Sequence, residues 1–455
     1  MVTIITEVSK YLMMILFACY TYDCFSVLQK ADDKKRQKRI FRRQQMFLFL
    51  IHLDAYLVIF AVKEDIKVLA FFAVQVLLIC VIQLIYRFLY KKASRLVTNN
   101  LCMLLVISFI ILERLNEAKA IRQFSLAVVA AVITLVVPFL IHRIHFLHKL
   151  PYLYAALGIG LLAVVAVAGK TDYGAKLAFQ FGAVSLQPSE FIKILFVFFV
   201  ASMFYHSTEL KQIVITTAVA AAHVLVLVVS KDLGSALIFF VTYLMMLYVA
   251  AKSPLWLGLG AGAGAAASIV GYKLFGHVRE RVVAWKDPLS VIDDEGYQVC
   301  HSLFAIGTGG WFGLGLFQGM PNKIPVVDED FIFAAISEEM GIVFAICLIL
   351  VCASCYLMFL NIAMQIHNQF YKLTALGLGT VYGFQVFLTI GGVIKFIPST
   401  GVTLPLVSYG GSSLLSTFII FAVIQGLYII REDEVFDEKR NSRRGKQADQ
   451  KVAKG

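Results

Sequence analysis

The chain has 455 residues, of which 60% are hydrophobic and 15% charged, with a mean hydropathy of +0.80 and a formal net charge of +12. Soluble chains are roughly 45–50% apolar and about 25% charged, so this balance excludes a soluble globular protein. It excludes a disordered chain as well. Apolar runs recur from end to end, and the chain reads as one all-α, polytopic membrane bundle.

Splitting the sequence at its charged clusters predicts thirteen spans, at about 3–22, 46–62, 67–86, 97–113, 124–141, 151–169, 191–205, 211–229, 233–250, 254–274, 331–358, 370–395 and 406–430. The run 191–205 is short for an independent span. The first span reads as retained, because its basic cluster follows the apolar run, whereas a cleaved signal peptide has it in front. Glu7 and Lys10 lie one turn apart near its outer end and read as a snorkelling pair.

Orientation follows from the charges. Segment 30–45 (KADDKKRQKRIFRRQQ) holds eight Lys/Arg against two Asp and is therefore cytoplasmic. Alternate counting places Arg87, Lys91, Lys92, Arg95, Arg143, Lys149 and the C-terminal tail inside. The N-terminus and the long loop 275–330 then fall outside, and the loop's four Lys/Arg against eight Asp/Glu agree. The basic excess is explained by topology, so nucleic acid is not implied as a partner. Tail 431–455 is polar and of mixed charge, and reads as disordered. The C-x-x-C of Cys352 and Cys355 lies inside an apolar run and reads as helix packing, not as a metal or redox pair.

Polar residues interrupt this pattern in four places. Between 170 and 193 (KTDYGAKLAFQFGAVSLQPSEFIK), Pro188 can open a helix that carries Glu190 and Lys193 on one face. Such a pair either stabilises a helix end or serves a site. Lys231-Asp232-Leu233-Gly234-Ser235 makes a charged turn. In loop 275–330, the run IGTGGWFGLGLFQG has neither the preceding strand nor the ribose-reading acid of a nucleotide fingerprint, so close packing of backbone on helices or substrate is the better reading. Asp330 stands at the mouth of the next span, with Glu338 and Glu339 about 12 Å deeper at about 1.5 Å per residue. Acids at that depth default to a functional reading. Finally, Thr400-Gly401, Pro405 and the SYGGSS run at 408–413 form a polar break near Lys395. For the serines alone, a helix-packing seam is the simpler reading.

QPSEFIK at 187–193, KDLGSA at 231–236, GYQ at 296–298 followed by SLFAIGTGGWFGLGL, DFIFAAISEEMG at 330–341 and TGVTLPLVSYGGSS at 400–413 together resemble the SEDS family. These are the shape, elongation, division and sporulation proteins of the FtsW/RodA/SpoVE type, and the match runs over about residues 97–430. The family's ten-helix core would correspond to the last ten spans. That leaves 1–96 as an N-terminal extension of about three helices and 431–455 as a cytoplasmic tail. The resemblance implies a peptidoglycan glycosyltransferase of the bacterial cytoplasmic membrane, joining lipid II into glycan strands at the outer face with a class B penicillin-binding protein as partner. It would serve cell division or cell shape. A lipid II flippase, with Glu338, Glu339 and Lys193 lining a path, and a non-catalytic scaffold for a transpeptidase are the alternatives.

That chemistry needs a carboxylate to take a proton from the acceptor hydroxyl. It also needs cations or a divalent metal, Mg²⁺ or Mn²⁺, to meet the departing pyrophosphate. The outer loops offer Asp287, Asp293, Asp294 and Asp330 as acids. Lys193, Lys231, Arg281 and Lys395 are the candidate cations, with Glu190, Gln298 and Ser408 as further substrate contacts. The family's usual aspartate, five residues before the glycine of GYQ, is replaced here by Val291. A short shift of the loop would bring Asp293 to the same place, so Asp293 and then Asp294 are the catalytic candidates. His301 stands where the family usually has glutamine. The partner contact is expected late in the core, around Gly391, Gly392 and Ala422, and a greasy groove between helices would hold the polyprenyl tail beside membrane lipids.

Overall fold

A computed structural model describes the chain except for residues 1, 30–32, 145, 173–174, 182–183 and 453–455. Thirteen of the described helices or helix pairs are long and apolar enough to cross a membrane. The extension is α1 (Val2–Gln29), α2 (Lys34–Lys63) and α3 (Ile66–Phe88). Then follow α4 (Arg95–Leu115), α5 (Glu117–Thr134), α6 (Val137–Arg143) and α7 (Pro151–Ala168). Helices α5 and α6 form one span interrupted just before Pro138, whose ring and missing N–H break the helical ladder.

The polar residues that cut the sequence into spans also start its helices. Asp33, Asp65, Ser94 and Asn116 each accept backbone N–H groups of the following turn, which would otherwise lack partners.

The stretch after α7 departs from the all-helical expectation. It folds into a small antiparallel sheet of β1 (Lys170–Asp172), β2 (Ala175–Phe181) and β3 (Val184–Leu186), in that order. The short apolar run beyond it is a full span, α8 (Ser189–His206), and most of its residues are buried among other helices. Then come α9 (Leu210–Val229), α10 (Leu233–Ala251) and α11 (Leu255–Leu274). The long loop is ordered, with α12 (Gly276–Lys286) and α13 (Tyr297–Gly309). It leads into α14 (Ile332–Gln365), α15 (Gln369–Val393) and α16 (Gly411–Val452). The helical backbone of α16 continues through the tail where disorder was expected. The reason is composition: 431–452 contains no proline and is rich in Glu, Lys, Arg and Gln, all good helix formers.

The extension encloses the first core helix. Every residue from Leu96 to Glu113 of α4 is buried. Tyr20 of α1 donates to Asn100 (2.9 Å), Asn100 donates to Ser354 of α14 (2.8 Å), and Lys63 of α2 pairs with Glu113 (2.6 Å). Polar groups inside a bundle find one another because hydrocarbon offers no alternative partner. Lys10 in α1 pairs with Glu7 (2.8 Å) and also donates to the Gly313 carbonyl of the long loop (3.3 Å), while Lys92 pairs with Asp433. The N-terminus and the long loop therefore share one side of the bundle, and loop 89–94 shares the other with the end of α16.

Candidate functional site

On the long-loop side, α5, the start of α8, the α9–α10 turn, segment 401–410 and the start of α16 surround a cleft of about 500 Å³, lined by Arg122, Gln187, Glu190, Asp232, Glu329 and Gly401 among others. Asp232 caps α10, accepting from the Ser235 backbone (3.0 Å), the Ser189 hydroxyl (3.1 Å) and Gln187 (3.3 Å). Its burial raises the carboxyl's pKa, and these hydrogen bonds hold it back. Below it, Lys193 donates to Glu190 (2.6 Å) and to Gln385 of α15 (2.7 Å), and Glu190 also accepts from Ser416 (2.7 Å). This buried network ties α8, α15 and α16 together under the cleft.

Helix α12 lies against the loop that follows α15. Arg281 donates to the Ser399 carbonyl (3.0 Å) and Trp285 to the Lys395 carbonyl (3.1 Å), which clamps α12 onto the loop after α15. Gly401 has φ +69, a left-handed conformation that favours glycine. A Cβ there would lie 3.6 Å from the Arg281 guanidinium and 3.9 Å from the Asp330 carboxylate. Both groups therefore flank Gly401, itself a residue of the cleft wall, while neither lines the cleft directly. Asp330 is partly open to solvent yet ringed by protein. Burial pushes its carboxyl up to about 7, opposed by a backbone hydrogen bond, reinforced by Glu329, and eased by Arg281. Burial lowers the pKa of Arg281, and the carboxylates of Asp330 and Asp232 counter it. His277 is lowered by burial and then by the charges of Arg281 and Lys231, each of which lies near it. Acid and cation meet beside the cleft wall.

The profile of the FtsW/RodA/SpoVE cell cycle proteins matches residues 89–432. This chain belongs to that family. Among curated relatives, the peptidoglycan glycosyltransferase RodA of Mycobacterium tuberculosis is 35% identical over 292 residues, covering 60% of this chain and 62% of the relative. The chain thus spans about three fifths of the length of the RodA relatives it matches. A probable peptidoglycan glycosyltransferase FtsW of Dichelobacter nodosus is 32% identical over 327 residues, covering 69% of this chain and 81% of the relative. The fold matches a chain from a solved peptidoglycan synthase complex with TM-score 0.62 and 24% identity, over 74% of this chain and 98% of that one. It matches the Thermus thermophilus rod shape determining protein RodA with TM-score 0.56 and 22% identity, over 74% and 96%. The architecture is the family's, with the α1–α3 extension packed against it.

The structure sorts the remaining candidates of this family member. Asp293 and Asp294 are exposed on the turn before α13 and are not among the residues that line the cleft. The turn is closed by its own backbone, with the Asp294 and Gly296 N–H groups donating to the Val291 carbonyl (3.2 and 2.9 Å). Asp287 accepts from the Ser290 N–H (3.4 Å) and caps the 3-10 turn that ends at Val291. Gln298 is half-buried on α13, and His301 there packs against Tyr297, their ring centroids 4.2 Å apart. Lys395 takes a left-handed backbone after α15. Ser408, a candidate substrate contact, accepts from the Leu404 N–H (2.8 Å) and donates to the Glu329 carbonyl, joining its loop to the segment before α14.

Glu338 and Glu339 are buried beneath the glycine-rich run, with the Glu338 Oε2 left without a hydrogen-bond partner. Glu339 accepts from Arg114 (2.9 Å) and the Phe317 N–H (3.1 Å), and Glu338 accepts from the Met320 N–H (3.0 Å). The glycine-rich run lies along α14, its Gly315 N–H donating to the Glu339 carbonyl (2.8 Å). Gly313 (φ +77) and Gly341 (φ +85) pass so closely that a Cβ on either would collide with the other's backbone. Close backbone packing, expected for this run, is what the glycines serve. Of the seam residues, Gly392 abuts Ser399 and Ala422 is buried inside the bundle, whereas Gly391 lines an apolar groove. Tyr356, Gly383, Phe384, Phe387 and Phe396 line the same groove, which has a volume of about 440 Å³.

Two residues of this site escaped the sequence reading. Asp232 was visible only as part of a charged turn. Gln385, the partner of Lys193, could have been noticed as the lone amide in the apolar run YGFQVFLTI.

Proposed function

We propose that the chain is a peptidoglycan glycosyltransferase that polymerises lipid II at the outer face of the bacterial cytoplasmic membrane, with its N-terminus outside. Family membership and the names of the curated relatives support the reaction class. The observation that carries the reading is the meeting of Asp330 and Arg281 about Gly401 on the cleft wall, with Lys231 nearby on the turn before α10.

In this reading the ionised Asp330 takes the proton of the acceptor's 4-hydroxyl as that oxygen attacks the anomeric carbon of the donor. The new glycosidic bond forms while the bond to the lipid pyrophosphate breaks. Arg281 and Lys231 meet the charge that leaves with the pyrophosphate, and Asp330 returns its proton to solvent. A carboxyl near 7 suits a base that must both accept and release a proton at neutral pH. Asp293, Asp294 and Gln298 then contribute to acceptor binding from the exposed turn and α13.

Among the described residues, no three His, Cys, Asp or Glu side chains form a preassembled metal cage. A Mg²⁺ or Mn²⁺ ion would fit only with the pyrophosphate oxygens completing its shell, Asp330 being the protein carboxylate at hand. When bound, it would neutralise charge on the leaving group.

The partner reading is a class B penicillin-binding protein. Its single membrane helix is proposed to lie in the apolar groove of Tyr356, Gly383, Phe387 and Phe396. The deciding experiment supplies lipid II to purified protein in detergent, alone and with the transpeptidase. Strands in detergent support the polymerase. A protein that moves lipid II only between the leaflets of a vesicle would be a flippase, and one inactive even with its transpeptidase would be a scaffold.

A further inference from the structure

The opposite end of the bundle holds a second charged cavity, independent of the cleft. It lies where the extension meets the core and has a volume of about 150 Å³. Helix α2 contributes Lys38 and Arg42, one turn apart. The end of α3 contributes Arg87, the following turn Lys91, and the first residue of α4 Arg95. Five cations thus line one small cavity, and no carboxylate is among its lining residues.

The neighbouring charges make this unusual. On the same side, Arg43 pairs with Asp23, and Lys92 pairs with Asp433, which also meets His142 (2.8 Å). None of the five lining cations has an ion-pair partner among the described residues. Arg42 and Arg87 instead lie close enough to Arg95 to repel it. Like charges gathered this way disfavour the empty arrangement, and an anion between them reverses the sign.

Two further features point to the same ligand. The positive end of the 21-residue α4 opens into the cavity at Ala93 and Arg95. The side-chain amide nitrogen of Gln83, also on the lining, is buried and has no hydrogen-bond partner. Tyr86 and Tyr90 line the same space, at the level where aromatic rings meet lipid headgroups.

We propose that this cavity is a binding site for a phosphate-bearing anion, held by Lys38, Arg42, Arg87, Lys91 and Arg95 between the extension and the core. The volume accommodates one phosphate group and its waters. The basic cluster places the site at the cytoplasmic headgroup level, so either an anionic phospholipid of the inner leaflet or a soluble phosphorylated compound can supply the group. Occupancy would join α2, α3 and α4 electrostatically. This proposal does not depend on the polymerase reading.

Native mass spectrometry of the full-length protein, mixed with equal amounts of phosphatidylglycerol and phosphatidylcholine, tests it. Wild type is expected to retain phosphatidylglycerol preferentially. The Arg42→Gln/Arg87→Gln double variant is expected to bind it about 30-fold more weakly, at roughly a fivefold loss per removed cation. Arg36→Gln/Arg39→Gln, exposed cations of α2 outside the cavity, should change little. A second arm adds inorganic pyrophosphate to protein in phosphatidylcholine nanodiscs and follows the thermal midpoint. A rise in wild type that the double variant lacks, without lipid preference, supports the site and assigns the anion to the cytosol. If neither lipid nor pyrophosphate distinguishes wild type from the double variant, the proposal is overturned. Should the variant fail to fold, wild type decides alone: a lipid ratio of one and no midpoint shift overturn the site.

Discussion

The outer end of α14 presents two sets of acids less than three turns apart, and they behave in opposite ways. Glu338 and Glu339 lie inside the membrane-spanning helix, where a carboxylate is most costly, and both accept hydrogen bonds from the loop that folds over them. Arg114 completes the arrangement with an ion pair of 2.8 Å. Asp330 lies just before the helix starts, beside Arg281 but without closing an ion pair, and flanks Gly401, which lines the cleft. Depth in the membrane therefore marks the acids that hold the structure. Availability for chemistry depends on which polar groups are left unanswered beside a cavity.

The comparison can be broken or sharpened by experiment. The largest effect is expected for Asp330→Asn, which removes the base without changing size. Strand synthesis from lipid II should fall about 10²–10⁴-fold while yield and thermal midpoint are maintained. Near-native synthesis by this variant would remove Asp330 from the mechanism and return the role to Asp293.

Arg114→Met should act on stability, because it leaves Glu339 charged and unpaired. Removing one partner of a buried pair costs about 3–5 kcal/mol, seen as a lower midpoint and poor recovery from detergent. The double variant with Glu339→Leu should regain part of that loss. An unchanged midpoint for Arg114→Met would show that the pair does not hold the loop.

Gly313→Ala combines an unfavourable φ with a collision at α14. A loss of about 1–3 kcal/mol in stability is expected, with residual activity in the folded fraction.

A pH series gives a smaller and opposite pair of signals. With its carboxyl near 7, Asp330 is protonated below and ionised above that value. Synthesis should rise with pH by at most about tenfold per unit and level off above 7. Because the folded-state pKa is raised, the stabilising share of the protonated form is full below about pH 4 and is lost as pH passes through about 7. Both slopes should vanish in Asp330→Asn. The smallest effect is expected for Asp293→Ala: a change in the acceptor KM within a few-fold, checked by initial rates, since an exposed turn residue contributes little to the fold.

Two spans show what hydropathy cannot convey. Helices α4 and α11 are both apolar enough to cross a membrane, yet every residue of α4 from Leu96 to Glu113 is buried and none of α11 is. The difference was already present in the polar residues. Asn99, Asn100, Ser108 and Glu113 in α4 need partners, whereas α11 is a Gly/Ala-rich helix with one serine whose hydroxyl bonds to its own helix.

The sequence by itself determined the number of spans, the side of the bundle on which each loop falls, the family and the segments that assemble the cleft. These rest on local quantities: runs of apolar residues, charge between them and short motifs, all of which survive without knowledge of neighbours. Only the tertiary structure decided what surrounds each acid. Asp293, Asp330 and Glu339 are alike as residues, and their roles diverge because a loop bends over one, an arginine and a glycine flank another, and a turn exposes the third. Hydrogen-bond partners and burial come from segments far apart in the chain, as when Arg114 reaches Glu339 across 225 positions. No local pattern encodes such a meeting, and it settles whether a buried charge is structural or reactive.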